Sequence, residues 1–230
     1  DYPVKPGDMI TVRLDEEKPE YPAQQADLHI IYEDDHILVV DKPAGMLIHP
    51  SRSQFEDTLA NFVAGYYGKT GQNSAFHPVT RLDRDTFGIV LLAKNAHIHQ
   101  LFQQTKVEKT YYALTLGEWE TDQGIIDAPI ARKPLPSLLR EISPDGKPSV
   151  TEYRVLEKGE VSKLALRPVT GRTHQLRVHS AHHLGLGHPI VGDLLYGGTP
   201  ACRLCLHAES ITFTHPSTSE EITLHQHQTF

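Results

Sequence analysis

The densest mixed-charge stretch of the sequence is RLDRD at Arg81–Asp85, where two arginines and two aspartates occupy five positions. It precedes the apolar run GIVLLAK, which is typical of a buried strand. Far along the chain, the segment GRTHQLRVH supplies Arg172 and Arg177. An arginine beside Asp83 would keep that carboxylate ionised, as a carboxylate nucleophile requires. The same residues could form a structural ion pair, and spacing alone favours that simpler interpretation.

Histidines are the second group of residues that could carry chemistry. The chain has 15 of them, and five lie between His174 and His188. Imidazole is the commonest transition-metal ligand in proteins, but the spacing of these five matches no zinc-binding template. Cys202 and Cys205 would lie on opposite faces of a strand, which suits neither a shared metal nor a redox pair. We therefore predict no metal site and interpret the histidines as buried or hydrogen-bonded side chains.

Other reaction classes lack their sequence signatures. The chain has no phosphate-binding glycine loop, no dinucleotide fingerprint and no serine nucleophile elbow, which argues against an ATPase, a dinucleotide enzyme and a serine hydrolase. No cofactor is expected. A hydrophobic content of 39% and a charged content of 22% fit a soluble globular protein, and no apolar run is long enough to cross a membrane. Two cysteines and a polar start, without a secretory signal, indicate a reducing, cytoplasmic setting.

The elements that must position these residues are mainly short strands. Strands are indicated at residues 28–33, 36–43, 88–94, 109–119, 203–216 and 221–227, with a hairpin at 150–169, and helices at 57–71, 95–106 and 173–185. Asn95 is the expected N-cap of the second helix, and Gly71 follows the first. Because strands and helices do not alternate regularly, a doubly wound parallel sheet is disfavoured. We predict an α+β fold with a mixed, mainly antiparallel central sheet flanked by helices and loops.

Residues 1–26 differ in character from the rest of the chain. The segment VKPGDMITVRL is typical of a short strand after a Pro-Gly turn. It is followed by DEEKPEYPAQQAD, a charged, proline-bearing stretch of the kind that links domains. These features fit an ordinary N-terminal strand and the tail of an upstream unit equally well.

Five segments, taken together and in this order, resemble the RluA-type pseudouridine synthases, which isomerise uridine in ribosomal or transfer RNA. The segments are IIYEDDHILVVDKPAGMLIHPS with its turn at Lys42–Gly45, RLDRDTFG, EKTYYAL, TGRTHQLRVH with GHPIVGDLLYG, and LHAESITFTHP. The resemblance covers about residues 28–230. It implies a catalytic domain at residues 27–230, and it makes residues 1–26 the remnant of a small upstream RNA-binding domain plus linker.

The resemblance also implies roles for individual residues. Asp83 falls on the family's nucleophile, Tyr111 on its active-site tyrosine and Arg177 on the arginine that pairs with the catalytic aspartate. Tyr111 would stack on the flipped base and, through its hydroxyl, take part in removing the C5 proton. That second role needs a neighbouring cation, and Lys109 on the same strand face is the expected one. Arg81 would point into the RNA and help to fill the gap left by the displaced base.

RNA is the expected partner, although the formal net charge of −7 does not favour a polyanion overall. Contacts to the RNA backbone must therefore come from local basic residues, and the expected ones are Arg84, Lys106, Lys109, Arg132, Lys133 and Arg172. Large-subunit ribosomal RNA is the expected substrate. Transfer RNA is the alternative, and a non-catalytic RNA-binding module on the same fold is another. The protein is expected to be a monomer.

Two positions depart from the family's usual pattern. The family has histidine before Arg-Leu-Asp and Thr-Ser-Gly after it, where this chain has Thr80 and Phe87. Neither position is the nucleophile, so catalysis is still expected. Phe87 is expected to alter the packing beside the site and, through it, the choice of substrate.

Overall fold

The computed structural model describes residues 3–11, 17, 20–137, 139–228 and 230. The strands are β1 (His29–Glu33), β2 (Ile37–Lys42), β3 (His77–Pro78), β4 (Phe87–Ala93), β5 (Val107–Leu116), β6 (Gln123–Asp127), β7 (Ile130–Arg132), β8 (Arg140–Ile142), β9 (Val150–Glu157), β10 (Val161–Pro168), β11 (Leu206–Thr214) and β12 (Glu221–His225). The helices are α1 (Leu59–Thr70), α2 (Ala96–Phe102) and α3 (Gln175–Ala181). Among these helices and the rest of the described chain, none is long and apolar enough to span a membrane.

One large sheet organises the described part of the chain. Its strand order is β1-β2-β4-β11-β5-β10-β9-β6, with β12 added to β11 and β3 added to β4, and β7 pairs with β8 in a separate ribbon. Within the described residues, β4 and β11 form the parallel pair and the other pairings are antiparallel. The predicted mixed, mainly antiparallel α+β sheet is therefore confirmed.

The core lies on both faces of β2 and β4, which explains their continuous apolar sequences. All seven residues of β4 are buried. One face of the two strands, carrying Leu38, Val40, Val90 and Leu92, packs in a cluster with α1 residues. The other face, carrying Ile37, Val39, Ile89 and Leu91, packs in a second cluster with α2 residues. The loop that precedes β4 is therefore held at the edge of a doubly covered strand.

The C-terminal end of α1 and the N-terminal end of α2 follow the sequence closely, whereas α2 ends at Phe102 and not near the predicted residue 106. The Asn95 side chain accepts a hydrogen bond from the backbone N–H of Ile98, which caps α2 as expected. Gly71 adopts a left-handed conformation with φ 69° immediately after α1, where a residue without a Cβ is favoured. Both predictions are confirmed.

The third helix is shorter than predicted, and its ends show why. Gln175 Oε1 accepts hydrogen bonds from the Thr170 hydroxyl and the Arg172 backbone N–H, so a side chain organises the loop where the helix was expected to begin. At the other end, a Cβ on Gly185 would lie 2.0 Å from the His179 carbonyl oxygen. The chain therefore folds back across the helix after Ala181.

Two further expectations need correction. Strand β11 begins at Leu206, so Cys202 and Cys205 lie in the preceding loop, where Cys202 is exposed and Cys205 is buried.

At the N-terminus, the Pro-Gly turn is present, with the Asp8 N–H bonded to the Lys5 carbonyl at 3.1 Å. Residues 8–11 do not form a strand, and residues 12–14 of the predicted strand lie outside the described residues. The domain boundary at residue 26 stays a prediction.

Candidate active site

A cleft of about 590 Å³ opens between the loop before β4, strand β5 and the loop leading into α3. Among the described residues, its charged lining consists of one carboxylate and five basic side chains, which are Asp83 and Arg81, Arg84, Lys109, Arg172 and Arg177. Sequence analysis predicted each of these six as a site residue, and the fold brings them together. The cleft is therefore locally basic in a protein of formal net charge −7, which is the local concentration that a polyanionic partner needs.

The loop that carries Asp83 is fastened to β4 by Thr80. The buried Thr80 hydroxyl accepts a hydrogen bond from the Leu91 N–H at 3.0 Å, and the Thr80 N–H donates to the Leu91 carbonyl at 3.2 Å. Thr80 stands where the family usually has histidine, so this departure has a structural use. On the far side of the loop, Gly88 has φ 110°, and a Cβ there would lie 2.3 Å from the Ala208 carbonyl oxygen.

Lys42 also holds the Asp83 loop in place. Sequence analysis noted this lysine in the Lys-Pro-x-Gly turn without giving it a role. Its buried ammonium donates to the carbonyls of Pro43 and Met46 at 2.9 Å and of Arg84 at 3.0 Å. Gly45 and Arg84 complete the link, because the Gly45 N–H donates to the Arg84 carbonyl and the Arg84 Nε donates to the Gly45 carbonyl. Burial lowers the pKa of Lys42 to about 8, while nearby aspartates oppose that shift.

Arg177 is held mainly by a residue that sequence analysis missed. Its Nε and Nη2 donate to the two carboxylate oxygens of Asp193 at 2.8 and 2.6 Å, and the two side chains are 4% and 1% exposed. Arg177 Nη1 lies 4.0 Å from Asp83 Oδ2. Burial acts to lower the pKa of Arg177, but the hydrogen bonds and charge of Asp193 outweigh it, so that this pKa is raised.

Arg177 does contact Asp83 as expected, but Asp193 is its stronger partner. Asp193 takes the two short hydrogen bonds of the planar guanidinium, and Asp83 receives a longer electrostatic contact from the remaining nitrogen. The Asp83 side chain keeps 26% of its surface exposed. The carboxylate thus lies beside a fixed positive charge and remains open to a ligand. The signal for Asp193 was its place in GHPIVGDLLYG, but nothing local marks it as an arginine partner.

Tyr111 lies on β5 between β10 and β11, and 7% of the residue is exposed. It lines the cleft together with Lys109. Burial raises the pKa of Tyr111, and the charge of Asp83 raises it further. Burial also lowers the pKa of Lys109. A raised pKa keeps the Tyr111 hydroxyl protonated near neutral pH, which does not favour its expected role as a base for the C5 proton. That role and the stacking of the Tyr111 ring on a base both stay predictions.

The remaining predicted RNA contacts divide by position. Lys106, Arg132 and Lys133 lie outside the cleft lining, and Lys106 forms an exposed ion pair with Glu108.

Phe87 is also outside the lining. The Phe87 ring stacks on the His207 ring with 4.7 Å between their centres, and the Arg203 guanidinium lies 4.2 Å from the centre of the Phe87 ring. Phe87 therefore packs outside the cleft lining, and its expected effect on the packing beside the site and on substrate choice stays a prediction.

Four of the five clustered histidines form hydrogen bonds, as predicted, whereas His183 is exposed and stacks on the His182 ring. His179 bonds the Thr151 hydroxyl and the Ala128 carbonyl, both at 2.9 Å, and His188 Nδ1 lies 2.9 Å from the Leu116 carbonyl oxygen. Across the part of the chain that the structure describes, three or more His, Cys, Asp or Glu side chains nowhere gather in a way that could hold a metal ion.

Comparison with known proteins agrees with the architecture and the basic cleft. The family model described as RNA pseudouridylate synthase matches residues 36–182. The uncharacterized RNA pseudouridine synthase YjbO of Bacillus subtilis is 39% identical, over 97% of this chain and 81% of its own length. Ribosomal large subunit pseudouridine synthase C of Vibrio cholerae is 34% identical, over 98% and 77%.

A solved structure supports the same relationship at the level of the fold. Human RNA pseudouridylate synthase domain containing 1 superposes with a TM-score of 0.71 and 30% identity, over 90% of this chain and 86% of the human chain. The chain therefore belongs to the RNA pseudouridine synthases, and within them to the RluA type, a family of isomerases.

Proposed function

We propose that this protein isomerises uridine to pseudouridine in large-subunit ribosomal RNA, with Asp83 as the nucleophile. The observation that carries the proposal is the cleft whose lining combines one partly exposed carboxylate with five basic side chains, of which Arg177 contacts that carboxylate. The target is supported by the relative named for the ribosomal large subunit, which this chain matches over 98% of its length. Acting on ribosomal RNA, the protein would work in the cytoplasm, and as a monomer.

Reaching the target uridine requires the base to leave the RNA stack. Flipping a nucleotide costs a few kcal/mol, and the cleft volume of about 590 Å³ is within the usual range for small-ligand sites. Arg81, Arg84 and Arg172 are exposed at the cleft and would contact phosphates, which position RNA without reading its sequence. Arg84 and Arg172 each also donate to a backbone carbonyl, of Gly45 and Pro148 respectively, so their side chains are partly preorganised.

The isomerisation conserves every atom of the uridine. The bond from N1 to C1′ breaks, the detached uracil rotates, and C5 bonds to C1′. N1 then gains a proton and C5 loses one. Asp83 either adds to the uracil ring or assists cleavage of the glycosidic bond, and both routes require an ionised carboxylate. Arg177, fixed by Asp193, keeps a positive charge 4.0 Å from that carboxylate. The Tyr111 ring would stack on the uracil.

Mapping of pseudouridine in total RNA tests the proposal directly. Cells lacking this protein are compared with cells that express it and with cells that express Asp83→Asn. We expect specific large-subunit ribosomal sites to disappear in the first and third strains. Loss confined to transfer RNA would refute the proposed target, and an unchanged map would indicate a non-catalytic RNA-binding module.

A further inference from the structure

His174 has a strained backbone at the edge of the cleft. It lines the cleft next to Arg172 and Gln175, and its φ of 57° and ψ of 18° are left-handed. Residues other than glycine adopt this conformation uncommonly, although histidine does so more often than most. Such strain persists where the surroundings impose it, and it is concentrated at functional sites. Neither the motif analysis nor the proposed mechanism gives this side chain a role.

The hydrogen bonds of Tyr196 determine which nitrogen of His174 carries a proton. The Tyr196 hydroxyl oxygen accepts the Arg140 backbone N–H at 3.0 Å and lies 2.8 Å from His174 Nδ1. The Tyr196 oxygen already accepts one hydrogen bond, and the arrangement that also pairs the phenol proton has Tyr196 donate to His174 Nδ1. A neutral His174 must then carry its own proton on Nε2. His174 lines the cleft and its Nδ1 is engaged by Tyr196, which leaves Nε2 as the ring nitrogen available to a ligand in the cleft.

The charges around His174 come from four elements, and burial dominates them. Asp83 on the loop before β4 and Asp193 on the loop after α3 favour the protonated ring, whereas Arg177 on α3 and Arg140 on β8 oppose it. Burial has the largest effect and lowers the pKa of His174. The ring is therefore neutral at neutral pH, and it does not compete with Arg177 as a second cation beside Asp83.

We propose that His174 is a further catalytic residue whose Nε2–H donates a hydrogen bond to a carbonyl oxygen of the flipped uracil, with Tyr196 as its positioning residue. This inference rests on the proposed function. Negative charge develops on the uracil oxygens when the glycosidic bond breaks or when Asp83 adds to the ring. A fixed neutral donor stabilises that charge and keeps its own proton throughout. Donors of this kind act mainly on the rate of the chemical step rather than on binding.

Two substitutions test the hydrogen-bond donor of His174 separately from any effect on the stability of the fold. His174→Asn keeps an acceptor for the Tyr196 hydroxyl and tolerates left-handed backbone, but it lacks a donor at the position of Nε2. We expect it to melt close to the parent and to bind RNA normally, while its single-turnover rate falls by roughly 10²–10³. Tyr196→Phe should lower the rate by roughly 2- to 12-fold, the effect of one neutral hydrogen bond.

The closing experiment combines these rates with nitrogen NMR of ¹⁵N-histidine protein. The rate is measured as tritium release from C5 of uridine in large-subunit ribosomal RNA. In the parent, the His174 signal, assigned by its absence from His174→Asn, should show the Nε2–H tautomer at neutral pH. An Nδ1–H tautomer, an imidazolium, or a parent-like rate for His174→Asn would overturn the role of His174. A parent that forms no pseudouridine overturns the proposed function itself, so the two failures are distinguishable.

Discussion

Replacing Arg177 by methionine should destabilise the fold and slow the reaction together. The substitution keeps much of the side-chain volume but removes both hydrogen bonds to Asp193, whose carboxylate is 1% exposed. Breaking a buried pair by removing one partner costs about 3–5 kcal/mol, because the remaining charge is uncompensated. For a protein of this size, that cost corresponds to a fall in melting temperature of roughly 6–20 °C. The positive charge 4.0 Å from Asp83 is lost at the same time.

Thermal unfolding and single-turnover tritium release together test this reasoning. Arg172→Met is the matched control, because Arg172 is an exposed arginine in the same cleft whose Nε donates to the Pro148 carbonyl and which forms no ion pair within the described part of the chain. Arg177→Lys should be intermediate, since lysine keeps the charge but lacks the planar fork that meets both oxygens of Asp193. If Arg177→Met melts like Arg172→Met, the Arg177–Asp193 pair does not stabilise the fold as the geometry indicates.

Three other perturbations give distinct results. Tyr111→Phe keeps the stacking ring and should stay within about threefold of the parent single-turnover rate, whereas a loss of ~10²–10⁴ would show that the hydroxyl does acid–base chemistry. Burial lowers the pKa of His207 to about 4, so the unfolded chain binds a proton that the folded protein rejects between about pH 6.5 and 4. The free energy of unfolding should therefore fall as the pH drops through this window, by about 2 kcal/mol at pH 5 for this residue. In His207→Leu, the melting temperature should depend less on pH across this window than it does in the parent. Lys42→Met should remove the hydrogen bonds from the Lys42 ammonium to three carbonyls, one of which, that of Arg84, belongs to the Asp83 loop. We expect the rate and the melting temperature to fall together, and an unchanged rate would show that the loop holds its position without Lys42.

The sequence was most informative where local patterns decide structure. The apolar run of β4, the Asn95 cap and the Gly71 stop depend on neighbouring residues, and each was predicted correctly. The cleft residues Asp83, Tyr111 and Arg177 were also identified, because motifs in the expected order mark them. Their assembly into one cleft is shown by the structure.

Contacts between distant segments were not accessible in the same way. Asp193 follows Arg177 by 16 positions and meets it through a loop that returns across the end of α3. Lys42 reaches Arg84 over 42 positions. Neither partner can be read from spacing, because the approach depends on how loops close. The left-handed His174 is a similar case, since a helix start was expected at Thr173 and the Gln175 side chain organises a loop there.

The most direct measurement is the single-turnover rate of Asp83→Asn on large-subunit ribosomal RNA, with Asp85→Asn as its matched control. Asp85 lies in the same loop but outside the cleft lining. We expect Asp83→Asn to bind RNA and melt like the parent, yet to release no tritium from C5 and to form no pseudouridine, while Asp85→Asn remains active. Near-parental turnover by Asp83→Asn would contradict the assignment of Asp83 as the nucleophile.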